Sequence, residues 1–144
     1  MQILYEKGIS AFQSGNLDYA ITLFRAVLDS SPDYAPARTQ LRLAEFRRFQ
    51  NYRFPLWHKI ISFIPSIKAV LFGWKKNWQG LLKELEKPLI HYPKNYTILR
   101  RLAGAAERAD MPETVCSIYE TMYLVKPADI FVLKKLGKYY RELN

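Results

Sequence analysis

The sequence predicts an all-α fold, an α-solenoid built of short helical hairpins, and three observations carry that prediction. Leu99, Leu102, Ala103 and Ala106 recur at the three- and four-residue spacing of one helix face, and Val115, Ile118, Tyr119 and Met122 do the same in the next stretch. The pattern then returns at a fixed period. Pro93 stands 34 residues before Pro127, and beyond Pro127 come Leu133, Leu136, Gly137 and Tyr140 at the offsets of Leu99, Leu102, Ala103 and Ala106. No alternating β-branched run interrupts this periodicity, so strands have no footing. One hairpin cannot bury its seam alone, which makes stacked copies the economical arrangement.

The first hairpin spans residues 1–34, with helices over 1–14 and 17–30. Gly15 sits at the turn, Asn16 or Asp18 caps the second helix, and Ser31-Pro-Asp-Tyr forms the exit. Here Leu4, Gly8, Ala11, Gly15, Ala20, Phe24 and Pro32 fall in an order and spacing that resembles the tetratricopeptide repeat, a 34-residue helix–turn–helix family. The resemblance covers residues 2–34 and 96–143, and only the second half of a repeat over 78–93. It implies a non-enzymatic interaction module in which Gly8 and Ala20 are small where two helices cross and Phe24 fills the space between hairpins. Gln2, Leu4 and Tyr5 already lie in a helical pattern, with no charged leader before an apolar run. So abrupt a start is what one piece of a longer repeat protein would show.

Residues 35–52 read as the first helix of a second repeat, with Ala37, Leu41 and Ala44 inward and Arg38, Arg42, Arg47 and Arg48 around the rest. The period then breaks, because Pro32 and Pro93 are 61 residues apart. The excess falls at 53–77, an insert. Residues 78–95 supply the second helix of a degenerate repeat, its seam carried by Leu81, Leu85 and Leu89, and Pro88 should kink or shorten it. Residues 96–129 form the best later repeat, with Asp110 as N-cap, Pro112 in the first turn of the second helix and Pro127 as its stop. Residues 130–144 make a terminal capping helix with Leu133, Leu136 and Tyr140 inward and Lys134, Lys135, Lys138 and Arg141 on the solvated side. The whole, residues 1–144, is one helical-repeat domain, and 144 residues that are 49% hydrophobic suffice for a continuous core.

The insert is the least ordinary segment. Two apolar stripes, Leu56, Trp57, Ile60, Ile61, Ile64 and then Ile67, Val70, Leu71, Trp74, are separated by Ile64-Pro65. Lys59, Pro65 and Lys68 break the run, whereas a spanning helix needs about 20 nearly uncharged residues. Residues 38–76 carry a net charge of +8 out of the chain's +9, and Trp57, Trp74 and Trp78 all lie in or beside this stretch. Trp57, Lys59, Lys68, Trp74, Lys75 and Lys76 thus form a contact surface with three readings: packing onto neighbouring repeats, contact with another protein or with a second copy in a homodimer, or resting on an anionic membrane surface. Core packing ranks first, because helical apolar stripes are usually buried. Nucleic acid ranks below protein as a partner, since a basic balance without a recognition motif gives only salt-sensitive, unspecific binding.

Catalysis finds no constellation. His58 and His91 have no Cys or carboxylate at metal-ligand spacing, the six glycines stand singly rather than as a phosphate-cradling loop, and Glu84, Glu86, Glu107 and Glu113 read as ordinary surface charge beside lysines and arginines. The single Cys116 excludes a disulfide within the chain, points to a reducing, cytoplasmic setting and reads as a small buried apolar residue. An enzyme, a cofactor and a metal are therefore not expected.

A surface remains. The resemblance implies a concave groove, lined by first helices, that holds a peptide or a partner helix. Thr97, Arg100, Gly104 and Glu107 would face it from one helix, and Phe131, Lys134, Lys138 and Arg141 from the next. Arg100, Lys134, Lys138 and Arg141 would offer a cationic wall to an acidic peptide or a terminal carboxylate. In the first hairpin the corresponding positions are Gln2, Tyr5, Ile9 and Phe12, and Tyr5 and Ile9 stand where the carboxylate-clamp version of the family has lysine and asparagine. The sequence therefore predicts an adaptor for a protein or peptide partner. A membrane-peripheral form, at the inner face of a membrane, would use the insert.

Overall fold

The computed structural model describes residues 1–51 and 77–143, and these are helical. The helices are α1 (Gln2–Gln13), α2 (Leu17–Ser30), α3 (Ala35–Asn51), α4 (Trp78–Leu89), α5 (Tyr96–Arg108), α6 (Pro112–Val125) and α7 (Ile130–Leu143). Among the described residues there is no strand. Consecutive helices pair as hairpins, as the 34-residue period predicts. Residues 53–76, with Trp57, Lys59, Lys68, Trp74, Lys75, Lys76 and His58, lie outside the described residues.

Local chemistry accounts for most boundaries. Gly15 takes the left-handed conformation at φ 82° between α1 and α2, and Asn16 then accepts the Tyr19 amide, which decides the cap between Asn16 and Asp18. Asn77 accepts from the Gly80 amide at 2.9 Å, Asn95 from Ile98 at 3.2 Å and Asp129 from Phe131 at 2.9 Å. Asn77 is therefore the N-cap of α4. Pro88 lies in the last turn of α4, which ends one residue later at Leu89, so the helix is shortened as the sequence predicts. Asp110 is a correction: it adopts φ 55° in the turn before α6, the N-cap position passes to Met111, and no side chain caps that helix. A left-handed residue cannot also hold the extended backbone that a capping side chain needs.

Two apolar cores result. Ala11, Ala20, Ile21, Leu23, Phe24, Val27, Leu28, Ala37, Leu41 and Ala44 form the first, within α1 to α3. Leu82, Leu85, Leu89, Leu99, Leu102, Ala106, Val115, Ile118, Tyr119 and Met122 lead the second, within α4 to α7. Phe24 is fully buried in the first core, close enough to Gly8 of its own hairpin that a side chain there would meet its ring at 2.6 Å. In α7 the inward residues are Val132, Leu136 and Tyr139, whereas Leu133 and Tyr140 are exposed, which corrects the expected register. The reason is positional: α7 packs on α6 from one side only among the described residues, so the face that α5 presents to a following helix stays open on α7.

The cores meet across polar ground. α3 lies against α6, with Thr39 Oγ1 and Ser117 Oγ 2.8 Å apart and the Thr114 hydroxyl donating to the Asp33 carbonyl. Beside them is a buried ionic cluster that overturns two expectations at once: Arg38 and Arg42 are not on the outside of α3, and Glu86 is not surface charge. Arg38 and Arg42 both pair with Glu86 across the α3–α4 junction, and Arg42 also pairs with Glu45. Arg38, Arg42 and Glu45 are 2%, 3% and 0% exposed, and Arg38 Nη2 also donates to the Pro32 carbonyl at 2.6 Å. Burial lowers the pKa of both arginines and raises that of Glu45, while the charges of Arg42 and Glu45 oppose the shift in each other.

Removing one carboxylate leaves two guanidinium groups buried without it. Glu86→Ala should cost about 3–5 kcal/mol, measured by chemical denaturation, and a loss under about 1 kcal/mol would show that the cluster behaves as a solvated pair.

Candidate functional site

α5, α6 and α7 are successive neighbours, so the first helices of two hairpins flank the second helix of one. α6 supplies the floor through Tyr119, which is buried. Its ring stacks on Tyr139 of α7 at a 6.2 Å centroid separation and meets Phe131 edge-on at 6.2 Å. α5 supplies Arg100, whose guanidinium carbon is 5.3 Å from the Phe131 ring centroid. Lys135, one turn beyond Phe131, places Nζ 5.7 Å from the same centroid. An aromatic ring 43% exposed is thus bracketed by two cations from different helices.

Glu107 holds this arrangement in place. Its Oε1 accepts from Lys135 Nζ at 2.7 Å, from the Tyr119 hydroxyl at 3.1 Å and from the Tyr139 hydroxyl at 3.2 Å. One oxygen of α5 therefore ties both other helices. Burial pushes the Glu107 carboxyl upward, but the hydrogen bond and charge of Lys135 and the two hydroxyls outweigh it and hold the pKa below the usual range. At the near end the Tyr96 hydroxyl donates to Asp129, Lys126 Nζ lies 5.7 Å from the Tyr96 ring, and burial with the Asp129 bond pushes the Tyr96 phenol up to about 12.

Of the groove residues expected from the sequence, Arg100, Glu107 and Phe131 come together. Lys134, Lys138 and Arg141 do not join them. Lys134 is exposed, Lys138 leans on the Tyr139 ring at 5.4 Å and faces Glu142 at 3.6 Å, and Arg141 Nε donates to the Gly137 carbonyl at 3.1 Å. Helical geometry explains the difference: from Phe131 the residue four on is Lys135, which shares its face toward α5, whereas Lys134 is rotated outward. Sequence reasoning assigned Lys135 to the solvated side and treated Glu107 as surface charge. The signal available was the i, i+4 pairing of Phe131 with Lys135 and of Lys135 with Tyr139 on one face. Thr97 is exposed and Gly104 half-buried along the same helix.

In the first hairpin Tyr5 packs edge-on to Tyr34 at 5.4 Å and near Phe24 at 6.0 Å, and Arg47 lies 5.6 Å from the Phe12 ring. That end is aromatic, without the double cation. Cys116 is buried, and burial, reinforced by Glu120, pushes its thiol up to about 11, which suits the small apolar role expected of it. Among the described residues no group of three or more His, Cys, Asp or Glu side chains could hold a metal, and no helix is long and apolar enough to cross a membrane.

No protein-family model matches the chain, and no curated protein matches it. Among solved structures it is similar to the first TPR domain of Spaghetti (RPAP3) bound to an HSP90 peptide, SRMEEVD. That match has 18% identity and a TM-score of 0.43, and it covers 99% of this chain and 91% of that one.

The tyrosines set an alkaline limit. Tyr96, Tyr139 and Tyr140 have pKa values raised from 10.0 to about 12. A phenol that holds its proton more tightly when folded contributes stability that is complete below its unfolded pKa and fades as pH rises through the folded one. Stability should therefore fall between pH 10 and about 12, read by denaturant midpoints. Glu107→Ala, by orphaning two hydroxyls and an ammonium, should cost about 1–3 kcal/mol at neutral pH.

Proposed function

We propose that this chain is a non-enzymatic interaction module whose groove between α5 and α7 takes an acidic peptide, with a carboxylate at Arg100 and Lys135 and an apolar side chain against Phe131. The observation that carries this reading is the exposed Phe131 ring bracketed by the Arg100 guanidinium and the Lys135 ammonium. A guanidinium can grip a carboxylate through two parallel hydrogen bonds, and among the described residues no carboxylate of the chain forms an ion pair with Arg100. Lys135 is already engaged by Glu107, so it adds positive potential and positions the ring more than it supplies free donors.

Lys134, Lys138 and Arg141 on the lip extend the positive field beyond the groove and would steer an acidic ligand toward it, an effect that fades with salt. Phe131 supplies what charge alone does not, an apolar surface that favours one side chain beside the carboxylate over another. Selectivity therefore depends on the ring, and on-rate on the lip. The aromatic face of α1, with Tyr5, Ile9 and Phe12, continues the line of first helices without a second anion site.

The test is fluorescence anisotropy with labelled acidic peptides that end in a free carboxylate, SRMEEVD among them. Arg100→Glu should abolish binding of the acidic peptides, and Lys134→Glu with Lys138→Glu should weaken it strongly and flatten its salt dependence, each without lowering the melting temperature. Unchanged affinity in Arg100→Glu sinks the groove assignment.

A further inference from the structure

We infer that the junction of α2, α3 and α4 holds a small monovalent anion, of the size of chloride, in a cavity against the Arg38 guanidinium and beside the Arg25 side chain.

The inference starts from the charges around the buried cluster. Arg38 and Arg42 are balanced by Glu45 and Glu86, so these four groups sum to zero. The Arg48 charge, also felt by Glu45, is met by Asp18. Two further cations border the cluster. Arg25, on α2, lies near enough for its charge to lower the pKa of both Arg42 and Glu45, and among the described residues no carboxylate forms an ion pair with it. Lys83, on α4, donates to the Asp29 carbonyl at 2.8 Å, which holds its ammonium at the same junction. Against these two stands only the exposed Asp29 carboxylate. One positive charge is left over beside buried groups.

A cavity lies at that place. Its volume is about 30 Å³, and Arg25, Asp29, Arg38, Lys83 and Glu86 line it together with apolar side chains. That is room for about two water-sized species, which admits a halide and leaves out a phosphate ester or a peptide carboxylate.

The cavity wall also carries an unanswered donor. Arg38 is buried; its Nη1 pairs with Glu86 and its Nη2 with the Pro32 carbonyl, whereas its Nε is buried without a hydrogen-bond partner. A buried N–H of a charged group is costly to leave unpaired. Water answers the donor alone. An anion answers the donor and the surplus charge together, through a charge-assisted bond. Glu86, the other buried charge of the wall, is already held by two guanidinium groups, so it opposes an anion less than its bare charge suggests. The site is separate from the groove between α5 and α7. Its occupant ties α2 to the α3–α4 contact on which the alignment of the two halves depends.

The test follows the Arg38 Nε–Hε signal in heteronuclear NMR spectra of the isotope-labelled intact protein, titrated with sodium chloride or bromide against sodium methanesulfonate at constant ionic strength. Each halide should move the signal saturably, with a Kd of about 1–100 mM. Arg25→Met, at a half-buried position outside the ion pairs, should weaken halide binding at least about tenfold and leave the amide spectrum of α5 to α7 unchanged. Lys83→Met, at an exposed position, is the second variant and should weaken binding in the same direction. A crystal of the unaltered protein soaked in bromide should show an anomalous scattering peak beside Arg38 Nε. A signal that no halide moves means that water alone serves Nε, and an equal shift with methanesulfonate means screening. Either result, an empty cavity in the bromide crystal, or full affinity in both variants would overturn the inference.

Discussion

Everything in this fold passes through the buried charges of Arg38, Arg42, Glu45 and Glu86. The apolar residues of α1 to α3 and those of α4 to α7 form separate cores, and the contacts that join them include the ionic cluster, the Thr39–Ser117 contact, the Thr114 bond to the Asp33 carbonyl and the edge-on meeting of the Phe49 and Tyr92 rings. Ionised groups inside a protein are tolerated only when their partners are in place, so the cluster admits few relative positions of α3 and α4. An apolar seam could slide by a fraction of a turn at small cost. A guanidinium that must reach both a carboxylate and the Pro32 carbonyl cannot.

That restriction matters because the sequence interrupts its own period between these helices. With 61 residues between Pro32 and Pro93, regular stacking cannot by itself set where the second half sits on the first. Glu86 reaches back from α4 to α3 over 48 residues of chain and performs the alignment that an unbroken repeat would obtain from packing alone. The same device recurs on a smaller scale in the groove. Glu107, on α5, collects Lys135, Tyr119 and Tyr139 on one oxygen and so fixes the ring of Phe131 in front of Arg100. In both places a carboxylate organises the helices, and the exposed cations are left for work outside the fold.

Helix positions were legible because they depend on local rules: apolar spacing, Gly15 and Asn16 at the first turn, Asn95 before α5, Pro88 and Pro127 as stops. The seam of α5 and α6 was legible for the same reason. What resisted was the role of each charge. Arg38 and Arg42 lie four apart on a polar face, as solvated residues do, and only the arrival of α4 on that face turns them inward. Glu107 similarly looks solvated until Tyr119 and Tyr139 come from two other helices. Leu133 and Tyr140 were misjudged through faithful use of the repeat, since the positions that α5 buries against α6 have no such cover on α7 among the described residues.

The most direct test of this account is chemical-shift mapping of an acidic, carboxylate-terminated peptide on the intact, isotope-labelled chain. A groove built on Phe131 and held by Glu107 predicts saturable shifts centred on Arg100, Phe131 and Lys135, with Tyr119 responding beneath them. Shifts centred instead on Tyr5, Ile9 and Phe12 of α1, with α5 and α7 silent, would contradict it.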